Sequence, residues 1–273
     1  MGNMKKHKRK LKKNVKIALI AGGLTLGIIL VATFGWLFGN NKNNEPILAV
    51  DQPEVNVIAE SNEELKDLYK ANKKINKDYV GIIKFDSGLV DLPFVQSHKK
   101  NISEAYLEYE RKDWKTKKEF HEGSIFMDPN NKLDDQNLVL YGHYVYPQID
   151  ETRTHKFTPL HKLRQQEFYE ENKNLSLFLE NEEREYEVVY VYYANVITDG
   201  NITTVPEGME YMRTNFNEEE LNTYKSLLES KLFYDTGKEI TMDDKFITLQ
   251  TCVQDRDDLR LIVVAKEVSR NPY

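Results

Sequence analysis

The sequence predicts a mainly β domain, a sandwich or barrel, carried behind a membrane-crossing segment. Three observations predict it. Eight short runs rich in β-branched and aromatic residues fall between residues 79 and 268, Gly, Pro, Asn and Asp split them, and only a few stretches keep a helical period. At 273 residues the chain holds one substantial domain with a real core, and two large catalytic domains would not fit.

The elements follow in order. Residues 1–16 form a basic leader, with Lys5, Lys6, Lys8, Arg9, Lys10, Lys12, Lys13 and Lys16 and no acid. The net charge of −6 therefore divides into +8 for the leader and −14 for the remainder, which argues against nucleic acid as a partner. Residues 17–38, IALIAGGLTLGIILVATFGWLF, carry no charge. As a helix they reach about 33 Å, enough to span a bilayer core. The leader's lysines predict a cytoplasmic N-terminus, a single-pass anchor in the plasma membrane, and everything beyond it on the extracellular face. A cleaved signal peptide fits less well, because GNNKNNEPI after the apolar run has no A-x-A-like exit. Residues 39–60 are polar, contain Pro46 and Pro53, and read as a spacer.

The domain proper spans 61–273. Ser61 with Glu64 fits a capping box, and Leu65, Leu68 and Tyr69 continue at helical spacing, predicting a helix over 61–75. Strands are predicted at 79–85, 89–96, 123–128, 137–143, 175–180, 186–197, 245–252 and 259–268. A short helix is predicted near 159–171. A longer one covers 217–233, with Leu221, Tyr224, Leu228 and Leu232 on one face and acids in its first turn. The acidic pairs Asp134–Asp135, Asp243–Asp244 and Asp257–Asp258 read as solvated turns rather than metal sites, since none has calcium-loop spacing.

Cys252 is the only cysteine, so the chain has no internal disulfide. A free cysteine is ordinarily a small buried hydrophobe, and the alternative is a nucleophile. The polar connection VQDRDD makes the strands on either side antiparallel neighbours. Cys252 then ends one strand and Arg260 opens the next at the same end of the sheet, where a guanidinium reaches an oxygen held near the sulfur. Arg256, inside the connection, is a competing cation. A cysteine nucleophile needs a proton partner, because little of it is thiolate at neutral pH. Among six histidines His143, ending NLVLYGH, is best placed. His7 falls in the leader, and His98, His121, His155 and His161 lie in polar or helical stretches and read as surface residues. Tyr141 reads as strand packing.

TLQTC at 248–252, an arginine eight positions after the cysteine and YGH at 141–143 together resemble the sortase family over roughly residues 61–268. The likeness is closest to class B, which carries an N-terminal helix and a long helix between the sixth and seventh strands. VDLPFVQ (90–96) and GSIFMD (123–128) also look like class B segments. The chain departs from that pattern at Gln250, where class B members often have serine.

The resemblance implies an eight-stranded barrel and a transpeptidase that joins surface proteins bearing a C-terminal sorting signal to an amine of the peptidoglycan precursor or of a pilin, in a Gram-positive bacterium. It implies catalytic roles for Cys252, His143 and Arg260, substrate contacts for Tyr141 and Thr251, lipid contact through the anchor, and no cofactor. Two other readings share these features: a tethered cysteine protease whose thioester goes to water, and a non-enzymatic β domain that binds a surface partner.

Overall fold

The computed structural model describes residues 61–99, 104, 108–145, 156–196 and 208–273. The leader, the apolar segment and the spacer read over residues 1–60 lie outside them. Among the described residues no helix is long and apolar enough to cross a membrane.

Helix α1 (Asn62–Ile75) opens on a reciprocal capping box, the Ser61 hydroxyl accepting from the Glu64 amide and the Glu64 carboxylate from the Ser61 amide. That cap contributes about 0.5–2 kcal/mol by satisfying amides no earlier turn can reach. Eight strands follow: β1 (Tyr79–Phe85), β2 (Asp91–Gln96), β3 (Ile125–Met127), β4 (Asn137–Tyr141), β5 (Asn174–Phe178), β6 (Glu182–Asn195), β7 (Phe246–Val253) and β8 (Arg256–Pro272). A 3-10 helix at Thr158–Arg164 and helix α2 (Gln166–Glu171) occupy the stretch predicted as one helix, because the chain turns extended at Gln165 between them. Helix α3 (Glu218–Glu229) lies between β6 and β7 in the chain. It opens on a capping box of Asn217 with Glu220 and stops at Glu229, four residues short of the predicted end.

The strands close into a barrel in the order β1-β2-β3-β4-β7-β8-β6-β5. Two of its joints, β2 with β3 and β4 with β7, are parallel. The second pairs Asn137 with Phe246 and continues to Tyr141 with Gln250. Successive side chains alternate between faces, so this register decides what lies inside. Leu138, Leu140, Ile247, Leu249, Leu261 and Val263 point into the barrel and form its core with Phe85, Phe94, Leu177 and Phe157. Each contributes about 1.5–3 kcal/mol by leaving water.

The outer face is covered too, which is why Phe246–Thr251 is buried throughout and reads as an unbroken run. Leu221, Tyr224 and Leu228 of α3 pack on Phe246, Ile262 and Val264. Near α1, Tyr69 and Tyr79 join Val139, Tyr141 and Phe126. What these coverings leave part-exposed is the end of β7, at Cys252 and Val253.

The connection between β7 and β8 is tighter than predicted. Val253 pairs with Arg256 across a two-residue turn, Gln254–Asp255, with Asp255 at φ +57°. Polar composition predicts a six-residue loop there, yet Arg256, Asp257 and Asp258 belong to β8. The register then shifts so that Cys252 pairs with Arg260, and residues 257–259 bulge out.

Candidate active site

Cys252 and Arg260 are cross-strand partners, both half-buried. Tyr141 and Gln250 face each other one alternation earlier on the parallel β4 and β7. The chain leaves the sheet after Tyr141, two residues sooner than predicted, but the Gly142 amide still donates to the Gln250 carbonyl at 3.0 Å. His143 is thereby carried alongside Cys252, and the two line one cleft on the barrel's outer face with Glu110, Tyr141, Gly142, Gln250 and Thr251.

Gly142 is required here. A Cβ at this position would lie 2.5 Å from Cγ of the Phe157 ring, which is wholly buried in the core. Gly142→Ala is therefore expected to cost about 1–3 kcal/mol by overpacking. The corresponding fall in Tm is roughly 3–10 °C, read by thermal denaturation. The far wall depends on Gly123, at φ +61°, whose α-carbon rests against the Glu110 backbone carbonyl and leaves no room for a side chain.

Burial pushes the His143 imidazole below its ordinary range, against a smaller opposing pull from Glu110. The ring is thus held neutral, the form that accepts a proton from a thiol. Its Nδ1 is buried with no hydrogen-bond partner among the described residues, and the His121 ring stands edge-on at 6.4 Å. Gln250 Oε1 and Thr251 Oγ1 are likewise buried and unpartnered. Each such group costs about 1–3 kcal/mol.

Tyr141 is a floor residue: its ring stacks on Phe126 at 5.3 Å and its hydroxyl donates to Asp128 at 2.8 Å. Thr251 is 1% exposed, at the rim where the cleft meets the core. Arg260 donates from Nη1 to the carbonyls of Asp257 (2.9 Å) and Leu259 (2.8 Å), which pins it to the bulge and leaves Nη2 and Nε for other acceptors. The rival cation Arg256 is exposed and occupied, forming a bidentate pair with Asp258 at 2.8 Å.

His161 corrects the sequence reading. It is not a surface residue: it is half-buried on the 3-10 helix, and its Nε2 lies 2.9 Å from the Cys252 carbonyl oxygen. A carbonyl can only accept, so Nε2 carries the proton. Burial pushes the ring's pKa down to about 4, more than the bond to Cys252 raises it. His98 is exposed but paired with the buried Asp78 at 2.9 Å.

A histidine held neutral makes folding pH-dependent. The unfolded state takes up protons near pH 6.5 while the folded state waits until about pH 4. Stability therefore falls as the pH drops through that window and is fully present above it. Thermal melts from pH 7.5 to 4.5 are expected to show a falling Tm, with a shallower slope in His161→Gln; equal slopes would refute the assignment.

No family model matches the chain. Two curated proteins do. Sortase B of Staphylococcus aureus is 29% identical over 215 residues, 77% of this chain and 78% of that one. Sortase B of Listeria monocytogenes is 28% identical over 270 residues, 93% of this chain and 98% of that one. Among solved structures, sortase B of Clostridium perfringens superposes with a TM-score of 0.59 at 29% identity, covering 73% of this chain and 99% of that one. In sequence over most of its length, and in its closed eight-stranded barrel, the chain is similar to class B sortases.

Proposed function

We propose that this chain, alike in sequence and barrel to class B sortases, is a cysteine transpeptidase that moves a surface protein from its C-terminal sorting signal to an amine of the peptidoglycan precursor or of a pilin. The observation that carries this reading is the shared cleft: Cys252 and His143 both line it, and Arg260 stands across the strand from Cys252.

In the first half-reaction the Cys252 thiol gives its proton to His143, and the sulfur attacks the scissile carbonyl. Arg260, through Nη2 or Nε, stabilises the oxyanion that forms. Collapse breaks the C–N bond, His143 returns the proton to the departing amine, and a thioester remains. In the second, His143 takes a proton from the incoming amine, which attacks the thioester and expels the sulfur. The thiolate regains that proton. One amide is made for one broken, so no nucleotide is consumed. Tyr141 and the unpartnered groups of Gln250 and Thr251 hold the peptide, and the apolar segment 17–38 anchors the enzyme at the membrane beside both substrates, with its catalytic domain outside the cell.

The test is a product assay. The full-length chain in detergent is given a peptide library with and without triglycine, and products are read by mass spectrometry. Amine-ligated peptides are expected. Hydrolysed peptides alone would identify a protease instead, and neither product, with no adduct on Cys252, would leave a binding domain.

A further inference from the structure

We infer that His161 is a positioning residue for the nucleophile, and that the segment 157–161 is a gauge setting the separation of Cys252 and His143; this rests on the transpeptidase reading above. Both catalytic candidates sit where the sheet gives out. His143 lies beyond the end of β4, and Cys252 is followed at once by the register shift in the β7–β8 pairing. Ladder bonds alone therefore leave these two residues poorly fixed.

One short segment compensates on both sides. The Phe157 amide donates to the His143 carbonyl at 3.2 Å. The Thr158 hydroxyl lies 2.7 Å from the Val145 amide, from which it accepts, and 3.2 Å from the Val145 carbonyl. Three residues on, His161 Nε2 donates to the Cys252 carbonyl. Because the peptide unit is planar, holding that oxygen fixes ψ of Cys252 and the plane joining it to Val253. The direction of the Cα–Cβ bond that carries the sulfur is fixed relative to that plane.

The gauge is stiff. Phe157, Leu160 and Leu163 are wholly buried in the barrel core, so the 3-10 helix presenting His161 cannot drift. The imidazole is braced edge-on by Tyr144 at 4.8 Å, and the Tyr144 hydroxyl bonds the Gln254 side chain at 3.1 Å, closing a ring of contacts around the turn after Cys252. A site carried on such support is held more closely than one on free loops. Because Nε2 must donate to a carbonyl, glutamine can replace the function and alanine or phenylalanine cannot.

The experiment compares the wild-type full-length chain with His161→Ala and His161→Gln. The rate of Cys252 alkylation by iodoacetamide is followed from pH 5 to 10, alongside kcat and KM for peptide cleavage and Tm. A misplaced nucleophile costs catalysis on the order of 10–100-fold, so His161→Ala is expected to lose that much in kcat with KM within about twofold. Its alkylation at pH 7 is expected to fall about tenfold while the fully ionised limit near pH 10 stays within about twofold, because the sulfur no longer sits where His143 takes its proton. His161→Gln is expected to restore both to within about threefold. An unaltered alkylation profile in His161→Ala, or a glutamine variant as impaired as alanine at equal Tm, would overturn the inference. If His161→Ala does not fold, His161→Phe fills the space beside Tyr144 without a donor and replaces it. Alkylation needs no peptide substrate, so it decides the role of His161 even if the wild type transfers nothing.

Discussion

On the transpeptidase reading, Cys252→Ala is expected to abolish cleavage and transfer together, by at least ~10⁴-fold, with the barrel still folded. The size of the loss follows from the role: with no sulfur there is no thioester, and what remains in the cleft only binds and polarises a peptide. The fold survives because Cys252 is half-buried at the open end of β7 rather than in the core, so removing one sulfur atom leaves no sealed cavity. The change in stability is expected within about 1 kcal/mol. Two measurements on the same sample check this: a peptide-transfer assay, and a thermal melt that overlays the wild type. A variant that still transfers peptides at a tenth of the wild-type rate would remove Cys252 from the mechanism.

His143→Ala is expected to lose about 10²–10⁴-fold in kcat, the usual worth of a proton-transferring side chain. Its pH dependence separates two duties. In alkaline solution hydroxide takes over the removal of the thiol proton, so alkylation of Cys252 in the variant is expected to approach the wild type. Peptide cleavage is expected to stay impaired there, because alkaline solvent does not protonate a departing amine. Full recovery of cleavage at high pH would limit His143 to activating the thiol. The substitution also removes a ring whose Nδ1 is buried without a hydrogen-bond partner among the described residues, so a large loss of stability is not expected.

The sequence exposed the parts of this molecule that repeat locally. Runs such as YVGIIKF and NLVLY show their strand character in composition, and the capping pairs Ser61–Glu64 and Asn217–Glu220 mark where α1 and α3 begin. The pairing of Cys252 with Arg260 was legible in outline, since a short connection forces two strands together. Its detail was not: Asp257 and Asp258 look like loop residues, and only the tight turn at Asp255 with the bulge behind it makes them part of β8.

Less legible still was anything joining residues distant in the chain. That β4 and β7 run parallel, carrying His143 beside Cys252, depends on how the whole sheet closes. His161 was misread for the same reason. In TPLHKLR nothing distinguishes it from a solvent-facing residue, because its partner is a main-chain oxygen 91 residues away, and carbonyls leave no mark in a sequence.

The parallel joint between β4 and β7 also governs timing. Tyr141 meets Gln250 across about 108 intervening positions. Pairings this distant must overcome a large loop-closure entropy and form slowly. β7 and β8 emerge from synthesis after the other six strands, so Cys252 comes beside His143 only after the rest of the barrel has been made. On the transpeptidase reading a nascent or half-folded chain therefore holds a thiol without its base, and reactivity is expected to begin with closure. Iodoacetamide applied during refolding would serve as a clock, with rapid labelling at neutral pH appearing in step with burial of the final strands.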